Sequence, residues 1–188
     1  MIIAITGNIA SGKSTLSKLL KEHGYAVYDS DKKARRLQNE DPEVVRQTKA
    51  LFGEDIYVDN QLNRPAVAAM VFENPALLKQ LTDIVHPAVK ADFLQWTKQF
   101  NSEELIFIES AVLFEGGFDS LVDKIILLTV SENIRIQRVM DRDGSTKEQV
   151  LSRMKNQIPD SENAPKSDLI IHTDNGLPEN VLQLVVSW

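Results

Sequence analysis

The chain has 188 residues, of which 43% are hydrophobic and 26% charged, with a formal net charge of −6 and no cysteine. This length suits one α/β domain with an insertion and is too short for two independent enzymes. The negative charge argues against a general nucleic-acid binder, which needs a basic face. The lack of cysteine excludes disulfides and thiolate metal sites.

Short continuous apolar runs alternate with longer amphipathic segments along the chain. We predict buried strands at 2–6, 25–29, 104–109, 124–130 and 168–173, and helices at 13–23, 31–39, 132–141, 145–156 and 178–187. Strands without polar alternation are typical of a parallel sheet that is covered on both faces. The alternation therefore predicts a three-layer α/β fold with a five-stranded parallel sheet.

Residues 41–103 interrupt this alternation and contain no convincing strand. A helical crossover alone needs only about a dozen residues. The stretch "DNQLN" (59–63) predicts a turn, and four prolines mark helix starts or kinks: Pro42, Pro65, Pro75 and Pro87. We expect a helical substrate-binding insertion at 41–103, flanked by core segments 1–40 and 104–188.

The stretch "GNIASGKST" (7–15) satisfies the pattern G-x-x-x-x-G-K-[ST] and lies between the first predicted strand and helix. Its glycines let backbone amides point at phosphate oxygens, Lys13 reaches the β- and γ-phosphates, and the Ser14 hydroxyl ligates Mg²⁺. This context favours a nucleotide-phosphate site over a plain glycine turn with a solvated lysine. The predicted ATP contacts are Gly7, Asn8, Ala10, Ser11, Gly12, Lys13, Ser14 and Thr15.

The phosphate loop alone fits a GTPase, a motor-type ATPase or a small-molecule kinase. A GTPase would carry Asn-Lys-x-Asp, which the chain lacks, and the D-x-x-G at Asp141 to Gly144 follows a helix and reads as a helix-ending turn. A helicase-like ATPase needs a longer chain. A compact kinase is the best prediction, with a nucleotide-regulated switch protein as an alternative from another class.

The second predicted strand ends in "YDSDKKARR" (28–36). Ligands of open parallel sheets bind at the carboxyl ends of the strands, so this segment is expected near the phosphate loop. Asp31 is a candidate base that accepts or orients the acceptor hydroxyl, and Arg35, one helical turn on, can hold an anionic acceptor. A helix N-cap is an equally good interpretation of Asp31.

The third predicted strand ends in Glu109. A carboxylate there is typical of the group that assists Mg²⁺, often through water, in phosphate-loop enzymes. The alternative is an exposed charge at the end of a strand.

Three arginines recur at helical spacing after the fourth strand, namely Arg135, Arg138 and Arg142. Their i, i+3, i+7 spacing gives one positive face. We expect a lid at about 138–165 that closes over ATP and brings Arg138 and Arg142 to the leaving phosphate. The alternative is a solvated face paired with Asp141, Asp143 and Glu148.

An ordered set of motifs along the whole chain resembles the dephospho-coenzyme A kinase family. The set consists of "ITGNIASGKST", "YDSDKKAR", "LFG…LNRPAV…VFENP", "HPAV", "ESAVLFEGGFD", "SENIRIQRVMDRDGST…RMKNQ" and "SDLII". The phosphate loop is common to many proteins, but the ordered set is far more specific. Another small-molecule or nucleoside monophosphate kinase remains the alternative.

The resemblance implies transfer of the ATP γ-phosphate to the ribose 3′-hydroxyl of dephospho-coenzyme A. It also implies that Asp31 is the catalytic base with Lys13 and Arg138 assisting, that His86 lies close to the substrate, and that the insertion binds the coenzyme A moiety. Without the resemblance, His86 is equally well a packed histidine at a helix start. Departures from the family pattern are Glu109 and Ala111 in place of aspartate and proline, and His172-Thr173 near the expected adenine contacts.

The N-terminus "MIIAITGN" lacks the basic region of a signal peptide. No apolar run approaches the roughly 20 residues of a membrane helix. We expect a cytoplasmic protein without nucleic-acid or membrane partners.

Overall fold

The computed structural model describes residues 1–72 and 74–188, which form two compact units. The first unit joins Met1–Asp29 to Phe100–Trp188, and the second is the intervening stretch Ser30–Gln99.

The strands, numbered in chain order, are β1 (Ile2–Thr6), β2 (Ala26–Asp29), β3 (Tyr57–Val58), β4 (Gln61–Leu62), β5 (Ile106–Glu109), β6 (Lys124–Thr129) and β7 (Leu169–His172). The helices are α1 (Lys13–Glu22), α2 (Ser30–Glu40), α3 (Pro42–Phe52), α4 (Arg64–Phe72), α5 (Pro75–Thr97), α6 (Glu132–Asp143), α7 (Lys147–Met154), α8 (Asp160–Asn163) and α9 (Val181–Val186). The five predicted strands and the five predicted helices are all present, with ends that move by a few residues.

The first unit contains a five-stranded sheet in the order β2-β5-β1-β6-β7. Every neighbouring pair in it is parallel, as predicted. The register aligns Asp29 with Glu109 and Thr129 with His172, so the carboxyl ends of the strands share one edge. The loops that follow these strand ends therefore assemble on the same side of the sheet.

Helices flank this sheet and bury its apolar faces. The core joins residues of the strands to α1 and α9: Ile3, Ile5, Leu16, Leu20, Phe107, Ile126, Leu128, Ile171, Val181 and Val185. Leu16 and Leu20 lie one turn apart on α1 and are fully buried. Truncation of a fully buried phenylalanine such as Phe107 to alanine costs about 3–5 kcal/mol of unfolding free energy. Packing of this strength fixes the strand ends that carry the loops.

The D-x-x-G at Asp141 to Gly144 ends a helix, as predicted. Gly144 follows α6 with a left-handed φ of 64°. Thr146 then caps α7 in a capping box with Gln149. Because α6 ends at Asp143 and α7 begins at Lys147, the two helices are joined by a short, capped connection.

The second unit is built from helices α2 to α5 and one small hairpin. The long helix α5 packs against α2, α3 and α4 and buries one stripe of residues: Leu81, Val85, Val89 and Phe93. Pro42 and Pro75 are the first residues of their helices, whereas Pro87 lies inside α5. Pro42 and Pro75 therefore mark helix starts as predicted, and Pro65 is the second residue of α4.

Two features of the second unit differ from the prediction. The turn at 59–63 joins β3 to β4, a hairpin that the strand pattern missed because two-residue strands are too short to show alternation. Asp59 and Asn60 form its tight turn, with φ of 49° and 61°. His86 lies in the middle of α5 and not at a helix start.

Across residues 1–72 and 74–188, none of the helices has both the length and the apolar character needed to cross a bilayer.

Candidate active site

The phosphate loop connects β1 to α1 at the carboxyl edge of the sheet, the strand–loop–helix context that the motif requires. Gly7 has a φ of 142°, and a Cβ there would lie 2.2 Å from the carbonyl oxygen of Leu128. Gly12 has a φ of 97° and immediately precedes α1. Neither position tolerates a side chain without strain, so the two glycines fix the path of the loop.

Lys13 is the first residue of α1 and is only 9% exposed. Its Nζ donates to the carbonyl oxygens of Gly7 at 2.8 Å and of Asn8 at 3.1 Å. The ammonium is thus folded back over the loop that the motif assigns to phosphate. A buried cation bonded to neutral carbonyls is well suited to exchange one of them for an anionic oxygen.

Ser14 and Glu109 meet across the sheet edge. The Ser14 Oγ donates to Glu109 Oε1 at 2.8 Å, and Glu109 is only 9% exposed. The alternative of an exposed charge at the strand end is therefore wrong. A hydroxyl and a carboxylate are oxygen ligands of the kind that Mg²⁺ takes together with substrate phosphates. The pair fits a magnesium ion.

Arg138 connects the phosphate loop to the segment that follows β7. Its guanidinium donates to the Ala10 carbonyl oxygen at 3.2 Å and to the Thr173 Oγ1 at 3.3 Å, and also to the carbonyl oxygens of Thr173 and Asp174. Thr173 is 1% exposed, and its hydroxyl donates to the Ser11 carbonyl oxygen at 2.9 Å. Thr173 was absent from the predicted contacts; its only sequence signal was the departure from the family pattern.

Arg142 lies one turn beyond Arg138 but is exposed and bonded differently. Its guanidinium donates two hydrogen bonds to the Asp143 carboxylate, at 2.7 and 3.0 Å, and Arg153 donates a third at 2.8 Å. These bonds from Arg142, then Arg153, hold the pKa of Asp143 well below its usual range. In this structure Arg142 is therefore paired with Asp143, as the alternative to a phosphate contact predicted.

A third arginine, Arg135, belongs to a network that no sequence pattern indicated. Asp160 accepts from Arg135 at 3.1 Å and from the Asn8 side-chain amide at 2.8 Å. The same amide donates to the Ile158 carbonyl oxygen at 3.1 Å, and the Ile9 N–H donates to Gln157 Oε1 at 3.1 Å. Burial raises the pKa of Asp160 although Arg135 opposes that shift. The phosphate loop is thus bonded to residues 157–160.

Comparison with known proteins decides the family. A model of the dephospho-CoA kinase family matches residues 1–179. The chain belongs to this family.

Individual members and structures agree with the family match. A dephospho-CoA kinase of Porphyromonas gingivalis is 44% identical over 155 residues, which are 82% of this chain and 76% of the relative. A Thermus thermophilus protein of known structure shares 33% identity with a TM-score of 0.84, covering 100% of this chain and 96% of its own. The dephospho-CoA kinase of Campylobacter jejuni shares 25% identity with a TM-score of 0.70, covering 98% and 93%.

The residues that the dephospho-CoA kinase resemblance assigns to the acceptor all lie in the second unit. Asp31 is the second residue of α2, and Arg35 follows one turn later; both are exposed. His86 is half-buried, and burial, followed by the charge of Lys90, lowers its pKa. The lowered pKa favours the neutral imidazole of His86.

Arg64 is a second-unit residue that the site prediction missed, although it lies within the family-like stretch "LNRPAV". Its guanidinium donates to Gln38 Oε1 at 2.6 Å and to the Arg35 carbonyl oxygen at 2.8 Å. Burial, then the charge of Arg35, lowers its pKa. Arg64 thus fixes the backbone of the helix that carries Asp31 and Arg35.

Proposed function

We propose that this chain is an ATP-dependent kinase that phosphorylates the ribose 3′-hydroxyl of dephospho-coenzyme A, giving coenzyme A and ADP. The observation that carries the proposal is family membership combined with an intact phosphate loop, in which Lys13 and the Ser14–Glu109 pair are already in place. ATP follows from the kinase family, and the acceptor follows from the family name.

The first unit supplies the ATP side of the proposal. Backbone amides of residues 7–15 and the Lys13 ammonium bind the β- and γ-phosphates, with Lys13 leaving its carbonyl partners for anionic oxygens. Ser14 and Glu109 would hold Mg²⁺, which would neutralise charge on the β- and γ-phosphates. Arg138 and Arg142, in the proposed lid at about 138–165, add positive charge toward the leaving ADP.

The second unit supplies the acceptor side. Asp31 takes the proton of the ribose 3′-hydroxyl. The hydroxyl oxygen then forms the new bond to the γ-phosphorus, while the bond from that phosphorus to the β–γ bridging oxygen breaks and ADP leaves. Asp31 follows two residues after Asp29, whose register partner is Glu109 at the carboxyl edge of the sheet. Arg35 and His86 bind the acceptor, and the stretch 41–103 holds its coenzyme A portion. The location proposed for this reaction is the cytoplasm.

An acceptor panel tests the proposal. Purified protein with ATP and Mg²⁺ is offered dephospho-coenzyme A, AMP, UMP and shikimate, and ADP release is measured together with product mass. The proposal expects ADP release with dephospho-coenzyme A and a product heavier by one phosphoryl group. Preference for any other acceptor in the panel contradicts it.

A further inference from the structure

We infer that Asp160 is a positioning residue for ATP, acting through the side chain of Asn8 on the phosphate loop. This inference rests on the proposed function only in taking residues 7–15 as the ATP site.

Asn8 is the link between Asp160 and the loop. It is 6% exposed, and both hydrogens of its side-chain amide are used, one by Asp160 Oδ1 at 2.8 Å and one by the Ile158 carbonyl oxygen at 3.1 Å. A side-chain amide has only two donor hydrogens, so its donor capacity is complete. Rotation of this side chain breaks both bonds.

The backbone of Asn8 in turn sets the position of the lysine. Its carbonyl oxygen accepts from Lys13 Nζ at 3.1 Å and from the Ser11 N–H at 3.2 Å. Fixing Asn8 by its side chain therefore fixes the loop backbone beside which the Lys13 ammonium lies before it turns to phosphate. The order of contacts runs from Asp160 through Asn8 to Lys13.

Asp160 is itself held from its other oxygen. Arg135, with a side chain only 12% exposed, donates to Asp160 Oδ2 at 3.1 Å and to the Val130 carbonyl oxygen at 3.0 Å. The carboxylate thus has a donor on each oxygen and is paired with a guanidinium. Because an ionised acceptor strengthens a hydrogen bond, Asp160 holds the Asn8 amide more strongly than a neutral acceptor would.

The network lies outside the closely packed sheet core. It borders a cavity of about 650 Å³ whose other walls include Leu151 and Met154 of α7. The anchor is thus placed on the segment that follows α7, where it orders the loop before nucleotide arrives. A preordered loop binds more tightly because less conformational freedom is lost on binding.

A double-mutant cycle on nucleotide binding tests the inference. The dissociation constant of ATP with Mg²⁺ is measured by calorimetry, without acceptor, for wild type, Asn8→Ala, Asp160→Ala and the double variant. Each single change weakens ATP binding about tenfold, as loss of a hydrogen bond to a charged group does. The double variant binds ATP no more weakly than the single variant with the lower affinity, because both changes remove the same hydrogen bond between Asp160 and Asn8.

Glu162→Ala is the matched control, since Glu162 is exposed on the same short helix and its removal changes the net charge equally. This control is expected to keep the dissociation constant of ATP within about twofold of the wild-type value. Asp160→Asn keeps the size of the side chain but removes its charge, and it serves if Asp160→Ala does not fold. For Asp160→Ala in steady state, KM for ATP rises while kcat stays within about threefold, a split that general destabilisation does not produce.

The inference is overturned if Asp160→Ala has the same dissociation constant for ATP as the control Glu162→Ala. The inference is also overturned if the weakening of ATP binding in the double variant equals the product of the two single effects, because such additivity of free energies means that the residues act independently. Because ATP binding is measured without acceptor, failure of dephospho-coenzyme A as acceptor contradicts the proposed function and leaves this result standing.

Discussion

The two units present their predicted site residues in opposite ways. In the first unit Asn8 and Lys13 of the phosphate loop and Glu109 at the end of β5 are hydrogen-bonded and at most 9% exposed, although Ser14 and Thr15 of the loop are exposed. In the second unit Asp31 and Arg35 are exposed to solvent. Buried polar groups need partners and so keep one geometry, whereas exposed charges gain a fixed geometry when they bind a ligand. Under the proposed function, the residues of the ATP side are held by buried hydrogen bonds, whereas Asp31 and Arg35 of the acceptor side lie at the surface.

The largest expected effect lies on the buried side. Lys13→Ala removes the only cation that contacts the loop carbonyls of Gly7 and Asn8 among the residues described in the structure. We expect kcat/KM to fall about 10²- to 10³-fold, as when a preorganised charge partner is lost. Steady-state kinetics with saturating acceptor measure it. Lys18→Ala, on the exposed face of the same helix, is the control, and equal activity in both variants contradicts the role of Lys13.

Asp31→Asn tests the exposed side. We expect kcat to fall about 10²-fold, the range of a general base, while the dissociation constant of ATP stays unchanged. Single-turnover kinetics and calorimetry separate the two quantities. Glu40→Gln, exposed at the other end of the same helix, is the matched control. Near-normal turnover of Asp31→Asn removes Asp31 from the base role.

Glu109→Gln asks whether burial near Ser14 reflects metal binding. The amide keeps an oxygen acceptor for Ser14 but removes the charge that Mg²⁺ prefers. The Mg²⁺ concentration for half-maximal activity is expected to rise about tenfold, a loss of about 1.4 kcal/mol. Titration of activity with Mg²⁺ measures this. An unchanged Mg²⁺ requirement means that Glu109 only orients Ser14.

The smallest effect is expected at the exposed Asp143, whose pKa is lowered by hydrogen bonds from Arg142 and Arg153. A lowered carboxylate pKa stabilises the fold above the unfolded pKa, about 3.9, and this contribution is lost as pH falls below it. Asp143→Asn is expected to lower Tm by about 1–2 °C at pH 7, with the difference shrinking below pH 4. Thermal unfolding across pH measures it. A difference independent of pH assigns the effect to something other than charge.

The sequence predicted the parts of the molecule whose structure depends on neighbouring residues. The phosphate loop is encoded in nine consecutive residues, because glycine conformations and the following helix determine its shape. The strands are visible because both faces of the sheet are buried. The β3–β4 hairpin escaped detection, since two-residue strands carry no periodic signal.

Contacts between distant residues were not predictable in the same way. Asn8 and Asp160 are 152 positions apart, and nothing in either local pattern marks the pair. Helical spacing placed Arg138 and Arg142 on one face, yet Arg138 bonds to loop carbonyls while Arg142 bonds to its neighbour Asp143. Periodicity predicts a shared face but not the partner of each side chain.

The position of the transferred phosphate tests the central claim most directly. Protein is incubated with ATP labelled in the γ-phosphate, Mg²⁺ and dephospho-coenzyme A, and the product is treated with a 3′-nucleotidase. We expect labelled coenzyme A, from which this enzyme releases the label as phosphate. Label found only as free phosphate before treatment, or in a product that resists the 3′-nucleotidase, contradicts it.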